Sequence, residues 1–138
     1  MAKDSFHDAV RSALEKEAWV ITDDPFKIRI SPTTNLYVDL GAERVIAAIR
    51  AEDKIAVEVK SFIGTSSMFE FHLAVGQFTN YRYALADFEP DRKLYLAVPV
   101  ESYNDFFKQD FIQSVIQRSE ISLLIYEPEQ GEIVQWTS

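Results

Sequence analysis

The stretch Ile55-Ala56-Val57-Glu58-Val59-Lys60 sets a carboxylate and an ammonium two positions apart in an otherwise apolar run. In a β-strand, side chains two apart point to the same face. Ile55, Val57 and Val59 then form one face, suited to a core, and Glu58 and Lys60 share the other. Charges in such a strand are costly to bury unless they are paired or bind a metal. Asp39 sits near the end of a second apolar stretch, Leu36-Tyr37-Val38-Asp39-Leu40. If these two strands are neighbours, Asp39 and Glu58 converge. Two carboxylates with a backbone carbonyl, here that of Val59, make a hard oxygen site suited to Mg²⁺ or Mn²⁺. Such a metal polarises a phosphate and lowers the pKa of a bound water. Lys60 then stabilises developing charge or the attacking hydroxide. Further on, Gln77-Phe78-Thr79-Asn80-Tyr81 places Gln77 and Tyr81 four apart on one helical face. Gln77 is placed to orient water or substrate, and Tyr81 to touch phosphate or pack.

Each piece taken singly has a plainer explanation. A Glu-x-Lys on a strand is usually a solvated pair, an Asp after a strand is usually a turn residue, and Gln-x-x-x-Tyr is usually surface plus core. The ordered set is more specific than its parts. Other chemistries have less to build on. His7 and His72 are the only histidines, and neither has a partner at ligand spacing. His7 reads as structural or exposed, and His72 as a residue near a helix start. Glu15 and Glu17 offer carboxylates on the first helix, where solvent exposure is the simpler reading. No Gly-rich phosphate loop or serine nucleophile elbow is present. Cysteine is absent, which excludes disulfides, thiolate metal sites and cysteine catalysis.

The elements that must position these residues follow from periodicity. Asp4 or Ser5 caps a first helix, in which Phe6, Ala9, Val10, Ala13 and Leu14 recur at helical spacing. Trp19 to Thr22 is β-like, and Asp23-Asp24-Pro25 is a turn. Phe26, Ile28 and Ile30 alternate with polar residues as a half-buried strand. Pro32 to Asn35 reads as a loop, Leu36 to Leu40 and Arg44 to Arg50 as strands, Ala51 to Lys54 as a turn, and Ile55 to Phe62 as a strand. Ser67-Met68-Phe69-Glu70 has the pattern of a capping box and opens a helix to about Ala86. Leu94 to Val98 is a strand, Glu101 to Arg118 is helical in two pieces, and Ile121 to Tyr126 and Ile133 to Trp136 are strands about the turn Pro128 to Gly131. This order predicts an α/β protein with a central mixed sheet flanked by helices, residues 1–138 forming one domain.

Composition constrains the function. Hydrophobic residues make up 47% of the 138, enough for one sizeable core, and the four glycines and five prolines leave most of the chain for regular elements. With 22 acidic against 14 basic side chains, the formal charge is -8. A protein holding nucleic acid by charge alone should be basic. Any approach to DNA therefore relies on a local site, on metal ions or on a basic partner, since Lys27, Arg29, Arg44, Lys60 and Arg82 make only a modest patch. The N-terminal Met1-Ala2-Lys3-Asp4 lacks an apolar signal core, and no apolar run approaches the roughly 20 residues that cross a bilayer. The expectation is a cytoplasmic protein with no membrane association. Tyr103, Phe106, Phe107 and Phe111 offer an interface for a homodimer, although aromatics at such spacing are more often core.

The chain resembles the XisH family, the fdxN element excision controlling factors of cyanobacteria. The resemblance is carried by Phe6-His7, Ala13-Leu14, Trp19 to Pro25, Tyr37-Val38-Asp39-Leu40-Gly41-Ala42-Glu43 and Ile55 to Phe62. It continues through Gly76-Gln77, Asn80-Tyr81-Arg82, Leu94 to Pro99 and Ile133 to Trp136, so that nearly the whole chain is covered. XisH-like proteins look like members of the PD-(D/E)-x-K nuclease superfamily, which implies a restriction-endonuclease-like fold. By motif, the metal-binding carboxylates map onto Asp39 and Glu58, and the catalytic lysine onto Lys60. Gln77 and Tyr81 match the Gln-x-x-x-Tyr element of RecB-like nucleases. Val38 stands where the superfamily often has Pro. The resemblance implies a part in excising a DNA element, beside a site-specific recombinase and a companion factor, XisI. Three readings follow: a Mg²⁺- or Mn²⁺-dependent nuclease, a non-catalytic accessory protein acting through XisI, the recombinase or DNA, and a latent nuclease regulated by XisI.

Overall fold

A computed structural model of the chain describes residues 3–37, 45–63 and 66–137; Asp39 and Arg44 lie outside the described residues. The elements run α1 (Lys3–Lys16), β1 (Val20–Asp23), β2 (Lys27–Ser31), β3 (Thr34–Tyr37), β4 (Val45–Arg50), β5 (Asp53–Val59), α2 (Ser67–Phe88) and β6 (Arg92–Pro99). After β6 come α3 (Val100–Ser102), a π-helical turn (Tyr103–Phe107), α4 (Asp110–Arg118), β7 (Leu123–Glu127) and β8 (Glu132–Trp136).

Six strands form one sheet in the order β1-β4-β5-β6-β7-β8. The β5, β6 and β7 strands are parallel and the remaining pairs antiparallel. Parallel neighbours need crossovers, and helices supply them: α2 between β5 and β6, and α3 to α4 between β6 and β7. Both crossovers cover the same face of the sheet, where Phe71 and Phe78 of α2 and Ile112 and Ile116 of α4 meet Ala56, Leu96 and Ile125. α1 covers the opposite face, packing Phe6, Val10 and Leu14 against Ile46, Val57 and Tyr126. The architecture is the expected α/β one, a mixed sheet flanked by helices, consistent with a restriction-endonuclease-like fold. Burying side chains of this size stabilises by about 1.5–3 kcal/mol each. Edge-to-face contacts of Phe62, Phe71 and Phe106 with Phe107, at 5.1–5.7 Å between centroids, lock the π-helical turn to the strand exit.

Several local expectations are corrected. The α1 helix begins at Lys3, so Asp4 and Ser5 lie within its first turn rather than before it. Strand β3 starts at Thr34, inside the expected loop, and among the described residues pairs with β2 in a separate two-stranded sheet. Phe26 and Ile28 of that hairpin pack with α2 residues, whereas Ile30 is 41% exposed and leaves the expected stripe. Asp53 and Lys54 extend β5 into the expected turn, because Ala51 adopts the left-handed conformation (φ 54°) that closes the hairpin in two residues. The cap of α2 is Ser66, whose hydroxyl accepts from the Phe69 N–H at 3.2 Å, one residue before the expected capping box. Of the four aromatics offered as an interface, Phe107 is fully buried, and Tyr103 and Phe106 pack against the core. Phe111 is 67% exposed. Among the described residues, no helix is long and apolar enough to cross a membrane.

Candidate functional site

Strand β5 is covered on both faces, and this decides the environment of Glu58. Ile55, Val57 and Val59 point toward α1, as their alternation predicts. Ala56 lies on the opposite face, toward α2, and by strand alternation Glu58 lies there too. Its side chain is 0% exposed and that of Lys60 only 7%, with Lys60 Nζ 3.7 Å from Glu58 Oε1. The two charges share a side, as their spacing requires, but the pair is interior rather than solvated. An isolated charge there would be strongly disfavoured, so each makes the other tolerable.

Lys60 stands just past the end of β5 and is held by its backbone. Its N–H donates to the Ala97 carbonyl at 3.0 Å, and its carbonyl accepts from the Tyr126 hydroxyl at 3.1 Å. Two residues on, Phe62 adopts φ 54° while 8% exposed. A bulky residue in the left-handed region is strained, and such strain persists where surrounding packing enforces it. Here that packing is the Phe107 ring. No sequence periodicity signals Tyr126 or Phe62 as positioning groups, since both act across strands or helices remote in the chain.

The next helix brings Tyr81 and Gln77. Tyr81 is 6% exposed, and burial, reinforced by the negative charge of Glu58, pushes its phenol well above the usual tyrosine range. It remains a neutral hydroxyl next to a carboxylate. Gln77 lies one turn earlier on the same side of α2, with both amide atoms buried and without a hydrogen-bond partner among the described residues. A buried amide left unsatisfied costs about 1–3 kcal/mol.

The strand geometry also bears on Asp39. The described part of its expected strand, β3, pairs with β2, and β5 is flanked instead by β4 and β6. Within the described residues β3 is not a neighbour of β5, and residues 38–40 of the expected strand lie outside them. Val45, the first described residue of β4, is the register partner of Glu58. Asp39 is six residues upstream of it in the chain, within about 20 Å of contour. Lys60 directs its N–H toward β6, so the carbonyl of Val59 is turned toward the β4 side. Among the described residues, no cluster of three or more His, Asp or Glu side chains is placed to hold a metal. Asp39, the second carboxylate of the motif, lies outside the described residues. The donor chemistry fits a hard cation: a buried carboxylate and a carbonyl at a strand end.

The remaining titratable candidates fall elsewhere. His7 is 5% exposed and its Nε2 lies 2.8 Å from Asp24 Oδ2, which also accepts from Arg11 at 2.7 Å. Burial raises the Asp24 carboxyl, but the hydrogen bonds and charges of His7 and Arg11 outweigh it and hold the carboxyl below its ordinary value. His7 is thus structural, with a partner drawn from a residue that reads in sequence as part of a turn. His72 is exposed on α2, as is Glu15 on α1, and Glu17 accepts from the Trp136 indole at 3.2 Å.

Comparison with known proteins places these features in context. The family model described as XisH protein matches residues 1–134. An XisH family protein from Nostoc punctiforme PCC 73102 is 47% identical, with a TM-score of 0.89 over 98% of this chain and 100% of that one. A fdxN element excision controlling factor protein from Anabaena variabilis is 48% identical, with a TM-score of 0.89 over 98% of this chain and 99% of that one. No curated protein matches the chain at a significant level.

Proposed function

The chain belongs to the XisH family, and from that premise we propose that it is a metal-dependent nuclease of the PD-(D/E)-x-K kind, serving the excision of a DNA element. The observation that carries this reading is the fully buried Glu58 paired at 3.7 Å with Lys60 at the end of a central strand. A structural ion pair gains little from such burial, because desolvation offsets the attraction. A catalytic one needs it, since electrostatic stabilisation is strongest where water is excluded.

In this reading Asp39, Glu58 and the Val59 carbonyl hold Mg²⁺ or Mn²⁺. The bound ion supplies Lewis-acid polarisation of a phosphate and a water of lowered pKa. Lys60 donates to negative charge that builds on the phosphate or the attacking oxygen. Gln77 orients water or substrate through a buried amide that has no hydrogen-bond partner among the described residues. Tyr81 presents a neutral hydroxyl beside Glu58 or packs against it.

The net charge of -8 favours a second arrangement for the same fold. Long-range repulsion from a phosphate backbone is relieved if a companion supplies the basic surface. A XisI-like protein, a site-specific recombinase or a second copy of the chain fits that role, with the site either latent until assembly or serving only as a scaffold. The likeness to a fdxN element excision controlling factor supports a DNA rearrangement as the setting.

The deciding experiment measures cleavage of plasmid and oligonucleotides in Mg²⁺ and Mn²⁺, with and without a XisI-like partner, for the wild type and Glu58→Ala. Cation-dependent cleavage lost in the variant is expected. Absence of both cation binding and cleavage in every mixture would leave the accessory reading.

A further inference from the structure

A helix at the surface of a protein usually has one apolar stripe, and α2 has two. Phe71, Ala74, Phe78, Tyr81 and Leu85 are buried in the core it shares with the sheet. On the other side, Phe69, Leu73, Gly76, Asn80, Tyr83 and Asp87 follow one another at alternating steps of four and three residues, the spacing of a helix–helix seam. All six are exposed, and for Phe69, Leu73 and Tyr83 the exposure is 62%, 43% and 58%. The seam holds one carboxylate and no lysine or arginine, in a chain whose formal charge is -8.

Gly76 lies at the middle of this seam. Glycine inside a helix is less stabilising than alanine, so its place there calls for a close approach by another group. Among the described residues there is none: a Cβ at Gly76 would meet nothing within 4 Å. The residues around Gly76 are also arranged symmetrically. Phe69 precedes it by seven positions and Tyr83 follows it by seven, while His72 precedes it by four and Asn80 follows it by four. A face patterned alike in both directions from its centre suits a two-fold contact with itself, which must be self-complementary.

We propose that α2 of one chain packs on α2 of a second copy, antiparallel, with the two Gly76 residues at the crossing. Phe69 of each copy then lies level with Tyr83 of the other, about 10 Å along the axis from the crossing. Charge selects the antiparallel sense. Asp87 stands in the last turn of α2, which has no basic residue, at the helix end where a carboxylate is unfavourable. Asp87 is eleven positions after Gly76, and the Ser66 cap is ten before it. Each Asp87 therefore reaches the level of the other copy's helix N-terminus, where negative charge is favoured. A parallel crossing would instead set Asp87 against Asp87. One helix face is smaller than the roughly 800 Å² per partner of a standard interface, so the dimer is reversible, with Kd on the order of 10–100 μM. The proposal is independent of the nuclease reading.

The test follows the mass of the full chain by sedimentation equilibrium from about 1 to 300 μM, which brackets that Kd. A monomer–dimer equilibrium is expected. Phe69→Ser should weaken it about tenfold or more, as loss of a central aromatic anchor does. Gly76→Gln should do the same while raising the melting temperature of the dilute monomer, because glutamine is the better helix former and its Cβ meets open space. The chain has no cysteine, so disulfide trapping reads the orientation. An equimolar mixture of His72→Cys and Asn80→Cys chains should cross-link in a glutathione buffer, since these positions come level across an antiparallel crossing. Either variant alone should not, because its two copies stand about 12 Å apart along the axis, beyond the roughly 7 Å between bridged Cα atoms. Should Phe69→Ser or Gly76→Gln fail to fold by circular dichroism, the other variant and the trapping pattern decide. A chain monomeric throughout, a dimer undiminished in folded Phe69→Ser or Gly76→Gln, or His72→Cys cross-linking to itself in preference to the mixture overturns the proposal.

Discussion

Lys60 Nζ lies 3.7 Å from Glu58 Oε1, and neither side chain is more than 7% exposed. Two residues apart on one strand, the pair is local in sequence but interior in the fold. Removing either partner strands a buried charge, at a cost of about 3–5 kcal/mol where nothing else compensates it. Lys60→Ala is expected to lower the denaturant midpoint markedly, and Lys60→Met less so, because its apolar stem still fills the space. Equal and negligible effects would mean that the two charges are reached by water.

Cation binding gives a second test at the same place. If Glu58 and Asp39 hold Mg²⁺ or Mn²⁺, saturating metal raises the melting temperature, by about 2.7 kcal/mol of stability at a hundredfold excess over Kd. Glu58→Gln and Asp39→Asn should each abolish that rise. An unchanged rise in both variants would place any bound cation elsewhere.

Tyr81→Phe separates packing from chemistry. The ring is 6% exposed and packs with the α2 core face, so the variant should fold with stability within about 1.5 kcal/mol of the wild type. Any cleavage activity should fall only if the hydroxyl touches substrate or the attacking oxygen. Unaltered activity would leave Tyr81 a packing residue.

Acid stability reports on Asp24. Its folded pKa lies below the ordinary 3.8 because His7 and Arg11 together outweigh burial. The sign follows from linkage: the stabilisation is present above 3.8 and is lost as pH falls through the lower folded value. Asp24→Asn should lose stability at neutral pH, by about 1–3 kcal/mol, and flatten the decline below about pH 4. Urea midpoints measured from pH 7 down to 2 check both effects.

The helix cap is the simplest local test. Ser66→Ala should cost about 1 kcal/mol by freeing the Phe69 N–H, whereas Ser67→Ala should cost little. The reverse order of effects would restore the capping-box reading.

Much of the fold was legible because its elements repeat at periods of two or 3.6 residues. The strands around Ile55 and Leu94 and the helices beginning near Phe6 and Ser67 all follow from that. So does the shared side of Glu58 and Lys60, since alternation is a property of a strand by itself. Less legible were the turns, where a single left-handed residue such as Ala51 shortened a loop and began β5 two residues early.

What the sequence determined by itself, then, is local: element types, the pairing of charges two apart, the four-residue spacing of Gln77 and Tyr81, and the acidic balance. Only tertiary structure decided which strands are neighbours, and it placed β4 rather than β3 beside β5. It also put a helix on each face of the sheet, which turned an ordinary Glu-x-Lys into a buried pair. The partnership of His7 with Asp24, 17 residues away, and of Tyr126 with the Lys60 carbonyl, 66 residues away, likewise appeared only on folding. The physical reason is that periodicity reports which side of an element is apolar, whereas the partner that covers that side is chosen by long-range packing.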